Sequence, residues 1–251
     1  MAGGDAGLRG TDEGAPGGLV PVLDAGYVRL VGVLKHFGTD EHEVQVVNAA
    51  RASFEKEVRE LGKRDVGLIN FLLRRVENSP FRHSVLAFEV RAPLMIARQW
   101  HRYAVGSAHL VDEDGVAWNE ASRRYVTEEP AFYCPAAWRA SPESKKQGSG
   151  GPLPEAGIWT EILGAHQAHA AATHRRALGA GICAEQARLF LPAYGLYVRW
   201  RWTASLLAVL HFLDERLDET TAQAEIVAYA AAVRELGRPH FPHSFAMLAV
   251  G

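Results

Sequence analysis

The sequence contains only two cysteines among 251 residues, Cys134 and Cys183. Two cysteines cannot form the disulfide framework of a small secreted domain, so we expect two buried free thiols. Cys134 is a conceivable nucleophile, but no paired base is evident in the sequence, and we interpret it as structural. The N-terminal residues lack the apolar segment of a signal peptide, and no apolar run reaches the length of a membrane span. The sequence therefore predicts a cytoplasmic protein without a membrane partner.

Several common functional motifs are also absent. The chain has no GxGxxG, GxxxxGK[ST], GxSxG or CxxC sequence. His166, His169 and His174 lie on one Ala-rich segment, but they do not form an i, i+4 pair with a third ligand, so we predict no metal site. The net charge of −2 provides no overall field that would attract nucleic acid, and none is expected as a partner.

What the chain does contain is material for a substantial core. Hydrophobic residues make up 48% of the sequence, which is ample for one large domain. Residues 1–18 are polar and Gly-rich, and we predict a disordered tail there. Residues 19–251 are predicted to form a single α+β domain with a mixed sheet and a helical C-terminal half.

Strands are predicted from alternating apolar residues. LVPVLDAGYVRLVGVLKHFG indicates one or two strands with a turn, and Leu86, Phe88 and Val90 alternate within SVLAFEV. A further strand, interrupted by Pro130, is expected within residues 120–139, after a loop over residues 109–118.

Helices are predicted from apolar residues at helical spacing. In one of them, VGLINFLLRRV, the buried face is expected to contain Leu68, Phe71, Leu72 and Val76. The predicted helices cover HEVQVVNAARASF, VGLINFLLRRV, PLMIARQWHRY, residues 157–179, CAEQARLFLP, WTASLLAVLHFLDERL and TAQAEIVAYAAAVREL.

Arginines in otherwise apolar surroundings are the first candidates for binding. A buried arginine keeps its charge, so it needs an anionic partner or a ligand. Arg98 and Arg102 share one helix face, Arg188 lies in EQARLFLP, and Arg216 ends the most apolar helix. Taken alone, Arg216 is also explained as a helix C-terminal cation or a salt-bridge partner.

The polar residues Asn119, Glu120 and Ser122 follow the predicted loop. Taken alone, they are also explained by hydrogen bonds to the local backbone.

One ordered set of residues resembles the signature of the flavin-dependent thymidylate synthases. It comprises Arg98-Gln99-Trp100-His101-Arg102, then Ser107, then the run Asn119 to Tyr125, NEASRRY. Other stretches follow in the family's order over nearly all of residues 20–245. They are NAARASF, SPFRHSVLAFEVRAP, FYCPAAWR, EQARLFLP, WTASLLAVLHFLDER and AQAEIVAYA.

The resemblance implies a flavin-dependent thymidylate synthase-like fold and a homotetramer whose active sites are shared between subunits. It implies FAD as cofactor, methylenetetrahydrofolate as one-carbon donor, NADPH as reductant and a uridine nucleotide as substrate. Among the nucleotide residues, Glu120, Ser122 and Arg216 are the catalytic candidates, with Arg216 stabilising negative charge at a uracil carbonyl. The positions implied to bind the nucleotide are Gln99, Arg102, Glu120, Ser122, Arg124, Arg188 and Arg216.

The flavin positions depart from the family pattern. The family's Arg-His-Arg is Arg102-Tyr103-Ala104 here, a family Asn and Arg are Ser205 and Leu207, and His211 replaces a family Asn. A later family histidine falls at Thr220 or Thr221. The resemblance implies the following flavin contacts: Ser53, Ser79, Arg102, Tyr103, Asn119, Ser205 and His211.

The segment His109 to Trp118 is extra relative to the family. A retained nucleotide site beside altered flavin positions is similar to the branch that C5-methylates UMP as well as dUMP in polyoxin-type nucleoside antibiotic biosynthesis. Three alternatives stay open: an ordinary thymidylate synthase acting on dUMP, a nucleotide-binding paralogue without activity, and another flavin-dependent pyrimidine modification. We expect the extra segment to reshape the ribose side of the pocket so that a 2′-OH is tolerated.

Overall fold

The computed structural model describes residues 18–102, 118–122, 128–142 and 148–248. Its strands form one five-stranded sheet in the order β1-β2-β3-β5-β4, and each neighbouring pair is antiparallel. The prediction of a mixed sheet is therefore wrong for the described chain. A tight turn joins β1 to β2, and such short connections impose antiparallel pairing. The strands are β1 (Leu19–Val22), β2 (Gly26–Val33), β3 (Val85–Pro93), β4 (Trp118–Glu120) and β5 (Tyr197–Ser205).

Most of the predicted helices are confirmed. The longest one, α4, has the predicted bounds, and the short helix near residue 185 ends before Pro192 as expected. The helices are α1 (Val44–Arg51), α2 (Lys63–Arg75), α3 (Leu94–His101), α4 (Gly157–Gly179), α5 (Ala184–Ala187), α6 (Leu206–Arg216), α7 (Ala224–Gly237) and α8 (Pro242–Phe245). Short 3-10 turns occupy Ala52–Phe54, Ser79–Arg82, Arg188–Phe190 and Ala193–Gly195.

Strand β5 was missed by the sequence analysis. The segment predicted as one helix from Trp202 onward is divided at Ser205, where β5 ends and α6 begins. Trp200 and Trp202 are buried while Arg199 and Arg201 are exposed, which is the two-residue period of a strand. The C-terminal half is therefore not wholly helical.

The prediction of a strand within residues 120–139 is also wrong for residues 128–139, while residues 123–127 lie outside the described ranges. Trp118, expected in a loop, begins β4, while the described residues 128–142 make only isolated bridges, at Phe132 and Arg139. Pro130 and Pro135 have no N–H to donate to a ladder, which disfavours a continuous strand there.

The buried face of α2 differs from the predicted one. Ile69 and Leu72 are buried, whereas Phe71 is 49% exposed and Val76 is 71% exposed. Val76 has positive φ and lies just past the end of the helix, so it cannot follow the helical face.

The two cysteines are free thiols, as predicted, but neither is fully buried. Cys134 is half-buried and Cys183 is exposed. Cys183 lies immediately before α5 in extended backbone, which places it outside the core.

The core lies between the sheet and helices α3, α6 and α7. Trp100 of α3 stacks on Phe212 of α6 at 4.4 Å between ring centroids, and it meets Trp200 and Trp202 edge to face at 5.5 and 5.3 Å. All four side chains are at most 1% exposed. This aromatic cluster fixes α3 against β5, and so it fixes the position of the signature residues on α3.

Two further predictions concern the N-terminal tail and the membrane. Gly18, placed in the predicted tail, accepts a hydrogen bond from the backbone N–H of Leu30 at 3.2 Å, and residues 1–17 lie outside the described residues. Across the ranges that the structure describes, no helix is long and apolar enough to cross a membrane.

Candidate functional site

The last turn of α3 meets β4 at the edge of the sheet. The ring of His101 lies edge to face with Trp118 at 5.4 Å, and Trp118 stacks on Trp200 at 4.8 Å. Because Trp100 points into the core, the neighbouring Arg98 is exposed. Two segments of the signature that are separated in the sequence are thus brought together.

Glu120 is the titratable group at this junction. Burial of its carboxyl group raises the pKa, while a hydrogen bond from Trp118 and the positive charges of Arg98 and His101 oppose the rise. The net pKa is above the ordinary value, although the residue as a whole is exposed. A carboxyl group of this kind can hydrogen-bond a ligand, and its charge responds to nearby cations.

The remaining β4 residues are held by β5. Asn119 lies opposite Arg201 and is exposed, and the N–H of Ala121 donates to the carbonyl oxygen of Arg199 at 2.7 Å. Ser122 follows and is half-buried. The predicted residues Asn119, Glu120 and Ser122 therefore share one short edge strand and its exit.

The predicted arginines are distributed over several elements. Arg102 is exposed at the end of α3, and Arg216 is half-buried at the end of α6. Arg188 is exposed, and its Nε donates to the carbonyl oxygen of Glu185 at 3.2 Å. The turn with Arg188 packs against α4 and α5, so within one chain it is held by different elements from those that hold Gln99 and Glu120.

Some predicted residues lie outside the described ranges. They are Tyr103 and Arg124, together with Ser107 and residues 109–117 of the extra segment.

Four predicted flavin residues lie on elements that contact one another where β3 begins and β5 ends. The turn beginning at Ser79 packs against α1, which precedes Ser53, and against α6, which includes His211. The N–H of Leu206 donates to the carbonyl oxygen of Ser84 at 2.8 Å and joins the start of α6 to this turn. Ser53, Ser79 and His211 are exposed. Hydroxyl and imidazole groups suit the polar edge and ribityl chain of a flavin, so these residues fit such a cofactor.

Ser205 has a defined structural role in the same region. It is fully buried, and its Oγ accepts a hydrogen bond from the N–H of Ala208 at 3.2 Å, as an N-cap of α6 does. The serine thus fixes the start of the helix on which His211 lies.

A buried polar network beside Gln99 was missed by the sequence analysis. Glu225 is 4% exposed and accepts from one nitrogen of Arg139 at 2.7 Å to each carboxylate oxygen. Tyr133 donates to the same carboxylate at 3.1 Å, and Gln223 Nε2 donates at 2.8 Å. Gln223 Oε1 in turn accepts from Gln99 Nε2. An acidic residue in the first turn of a helix is common, so AQAEI in the sequence indicated only a helix start.

The charge of Glu225 is stabilised by this network. Burial acts to raise its pKa, but hydrogen bonds from Arg139, from its own backbone N–H and from Gln223 outweigh that effect. The net pKa is lower than usual, so the carboxylate is ionised at neutral pH.

Comparison with known proteins identifies the family. A family model described as "Thymidylate synthase complementing protein" matches residues 33–243. The chain is 36% identical over 227 residues to a flavin-dependent thymidylate synthase of Thermus thermophilus, covering 90% of this chain and 77% of that one. It is 35% identical over 226 residues to the enzyme of the same name from Thermotoga neapolitana, covering 90% and 92%.

Solved structures agree with this assignment. A UMP/dUMP methylase, PolB from Streptomyces cacaoi bound with 5-Br dUMP, matches with a TM-score of 0.72 and 27% identity over 90% of this chain and 96% of that one. The same methylase bound with 5-Br UMP matches with a TM-score of 0.70 and 26% identity, covering 88% and 92%. The chain belongs to the flavin-dependent thymidylate synthase family, as a divergent member.

Proposed function

We propose that this protein methylates C5 of UMP and dUMP, with FAD as cofactor, methylenetetrahydrofolate as one-carbon donor and NADPH as reductant. The observation that favours this over an ordinary thymidylate synthase is the structural similarity to a UMP/dUMP methylase along 96% of that protein's chain. From the resemblance of the signature to the polyoxin-type branch, we also propose that the reaction belongs to the biosynthesis of a nucleoside antibiotic and takes place in the cytoplasm.

The nucleotide would be bound by the signature residues. Arginine can form bidentate hydrogen bonds to phosphate, so Arg102, Arg124 and Arg188 are suited to bind the 5′-phosphate. Glu120 and Ser122 at the exit of β4 would hydrogen-bond the sugar and the nearby backbone. Arg216 would lie at a uracil carbonyl, where a fixed cation stabilises the negative charge that develops when the ring is polarised.

FAD would be bound near the junction of β3, β5 and α6. When bound, the flavin supplies the hydride for the reductive step. Ser53, Ser79 and His211 would hydrogen-bond it directly, whereas the buried Ser205 would act by fixing the start of α6. Asn119, Arg102 and Tyr103 would complete the contacts from the side of the signature.

We also propose a homotetramer with shared sites. Helix α4 is exposed along most of its length, and only Ala170, His174 and Ala177 among its residues are buried. Apolar side chains are exposed on it and on the segment after it, and apolar patches of this kind are typical of interfaces between subunits. They include Ile158, Trp159, Ile162, Leu189 and Tyr194. A neighbouring subunit on this surface would bring Arg188 to a site that its own chain does not complete.

The extra segment is proposed to admit the 2′-OH of UMP. It lies between Ser107 and Asn119, which is inside the nucleotide signature. Tolerating an added hydroxyl is physically easier than rejecting the deoxy analogue, so both nucleotides are expected to react. A variant with residues 109–117 deleted should shift the preference toward dUMP, and an unchanged preference would contradict this role.

A competition assay tests the proposed function. Purified protein is mixed with FAD, NADPH, methylenetetrahydrofolate and equal amounts of UMP and dUMP, and the products are measured by mass. We expect both nucleotides to gain one methylene unit. Omitting the folate is the control for the one-carbon donor.

Conversion of dUMP alone would instead support an ordinary thymidylate synthase, which the relatives at 35–36% identity favour. Binding of nucleotide without any product, and without the visible absorbance of a bound flavin, would support an inactive paralogue. A product of a different mass would indicate another pyrimidine modification.

A further inference from the structure

We propose that Gln223 is a positioning residue that fixes the orientation of the Gln99 side-chain amide toward the nucleotide. Gln223 is not part of the signature and lies 124 residues away from Gln99 in the sequence. The inference rests on the proposed nucleotide site, because it assigns to Gln223 a role that acts only through Gln99.

The direction of the hydrogen bonds follows from Glu225. An ionised carboxylate has no donor, so Gln223 has to present its Nε2 to Glu225, and this contact is 2.8 Å long. Gln223 Oε1 then faces Gln99. Because that oxygen only accepts, Gln99 has to present Nε2 to it, which is the observed contact.

Glu225, the first residue of this chain of hydrogen bonds, is held in place by its other partners. Glu225 is 4% exposed, and Arg139 and Tyr133 both donate to it, so its carboxylate remains an acceptor at neutral pH. Gln223 is the N-cap residue of α7, so its backbone is fixed at the start of the helix. Both glutamines are half-buried, which limits the competition of water for their amide groups.

The consequence is a defined chemical surface at Gln99. A free glutamine amide can rotate by a half-turn and exchange its donor and acceptor at little cost. With Nε2 bound to Gln223, the Oε1 of Gln99 remains as an acceptor and the second N–H as a donor in one fixed arrangement. A binding group fixed in this way does not have to be ordered when the nucleotide binds.

The test measures nucleotide affinity in the FAD-loaded protein by calorimetry, for both dUMP and UMP. Gln223→Met keeps the shape of the side chain and removes both amide contacts. We expect it to weaken nucleotide binding by about three- to ten-fold, the size of one ordinary hydrogen bond. In a Gln99→Met background the same change is expected to have no further effect, because the amide that it orients is gone.

Tyr133→Phe is the matched control. It removes a hydrogen bond from the same Glu225 carboxylate but leaves both glutamine contacts in place, so affinity should change by less than about two-fold. Gln223→Asn is the second variant in case the methionine does not fold. Its shorter amide cannot reach both partners, and it should give the same loss. Thermal unfolding of each variant reports any structural damage, which would not depend on whether residue 99 is Gln or Met.

The outcomes separate the two proposals. Loss of affinity in Gln223→Met alone, absent when residue 99 is Met, supports the positioning role. An equal loss of affinity in both backgrounds, or no loss in either, overturns the positioning role. In that case the proposed function still stands if the wild-type protein methylates its nucleotide. A wild-type protein that binds neither nucleotide overturns both.

Discussion

The two faces of the sheet differ in the residues that the same strands place on them. On the face covered by α3, α6 and α7, Phe88, Val90, Trp200 and Trp202 are at most 1% exposed. On the other face, the central part of the three long strands has polar or charged residues, which are Tyr27, Arg29, Glu89, Arg91, Arg199 and Arg201. The helix-covered face therefore supplies the hydrophobic stabilisation. The other face is a charged surface whose side chains are held by hydrogen bonds and ion pairs to one another.

A buried carboxylate lies on each side of the sheet, Glu89 on the charged face and Glu225 on the helical side, and the two have similar partners. Glu89 is 8% exposed and accepts from Tyr27 and Arg29, both at 2.9 Å. Glu225 on the helical side is 4% exposed and accepts from Tyr133 and from Arg139. Both sites pair a tyrosine with an arginine, but only the bond from Arg139 reaches both carboxylate oxygens. We therefore expect that removal of an arginine from Glu225 lowers the free energy of unfolding more than removal of an arginine from Glu89.

Replacement of Trp100 by Ala should have the largest effect on stability. The indole contacts three other aromatic rings at 4.4 to 5.5 Å and is fully buried, so a cavity would remain. We expect the free energy of unfolding to fall by about 3–5 kcal/mol, measured by urea denaturation. Arg199→Ala on the charged face is the control, with an expected loss below about 1 kcal/mol. Equal losses for the two variants would remove the distinction between the faces.

Replacement of Arg139 by Met should come next. Glu225 would remain buried without its cation, at a cost of about 2–3 kcal/mol near neutral pH, since Arg139 is itself partly exposed. The folded-state pKa of Glu225 lies below 4.5, so this stabilisation is complete above 4.5 and is lost as the pH falls through the lower folded-state value. The stabilities of the two proteins should converge as the pH falls through the lowered folded-state pKa of Glu225. A difference that does not change with pH would show that Glu225 is not responsible.

The sequence predicted the helix-covered face better than the charged one. Leu86, Phe88 and Val90 gave a clear strand signal because each apolar residue is followed by one that faces the other side. Strand β5 gave a mixed signal, since Trp202 is followed by the apolar start of α6 and the two were merged into one helix. Arg199 and Arg201 alternate with Trp200 and Trp202, which is a strand signal that the sequence analysis missed, and Ser205 marks the change to α6.

The candidate site was predicted in part for a similar reason. Gln99, Arg102 and Glu120 were proposed as nucleotide-binding residues because the signature keeps them close together in the sequence. The partners Gln223 and Glu225 are neighbours, but they lie far in the chain from both Gln99 and Arg139, and each has an ordinary local explanation. Hydrogen bonds between distant side chains depend on the packing of α3 against α7, which no local pattern encodes.

Replacement of Glu89 by Gln tests the charged face at a smaller scale. The amide keeps the shape but loses the charge that binds Arg29 at 2.9 Å and Arg201 at 3.4 Å. We expect a loss of about 1–2 kcal/mol in the free energy of unfolding. Arg201→Ala is the matched variant, and it should cost less than about 0.5 kcal/mol because that side chain is 59% exposed. If Arg201→Ala lowered the free energy of unfolding more than Glu89→Gln, Glu89 would not be the central group of the charged face.

Replacement of Ser205 by Ala should have the smallest effect of these core and network substitutions on stability. Because Ser205 lies where β5 ends and α6 begins, it also tests whether this residue has a structural role or contacts the cofactor. Loss of the N-cap of α6 should cost about 1 kcal/mol, and Ser205→Gly should cost less. Because the hydroxyl is fully buried and bonded to the N–H of Ala208, the affinity for FAD, measured by flavin fluorescence, should change little. His211→Ala, at an exposed position of the same helix, should weaken FAD binding more than Ser205→Ala does. The opposite pattern would make Ser205 a flavin contact and His211 an ordinary surface residue.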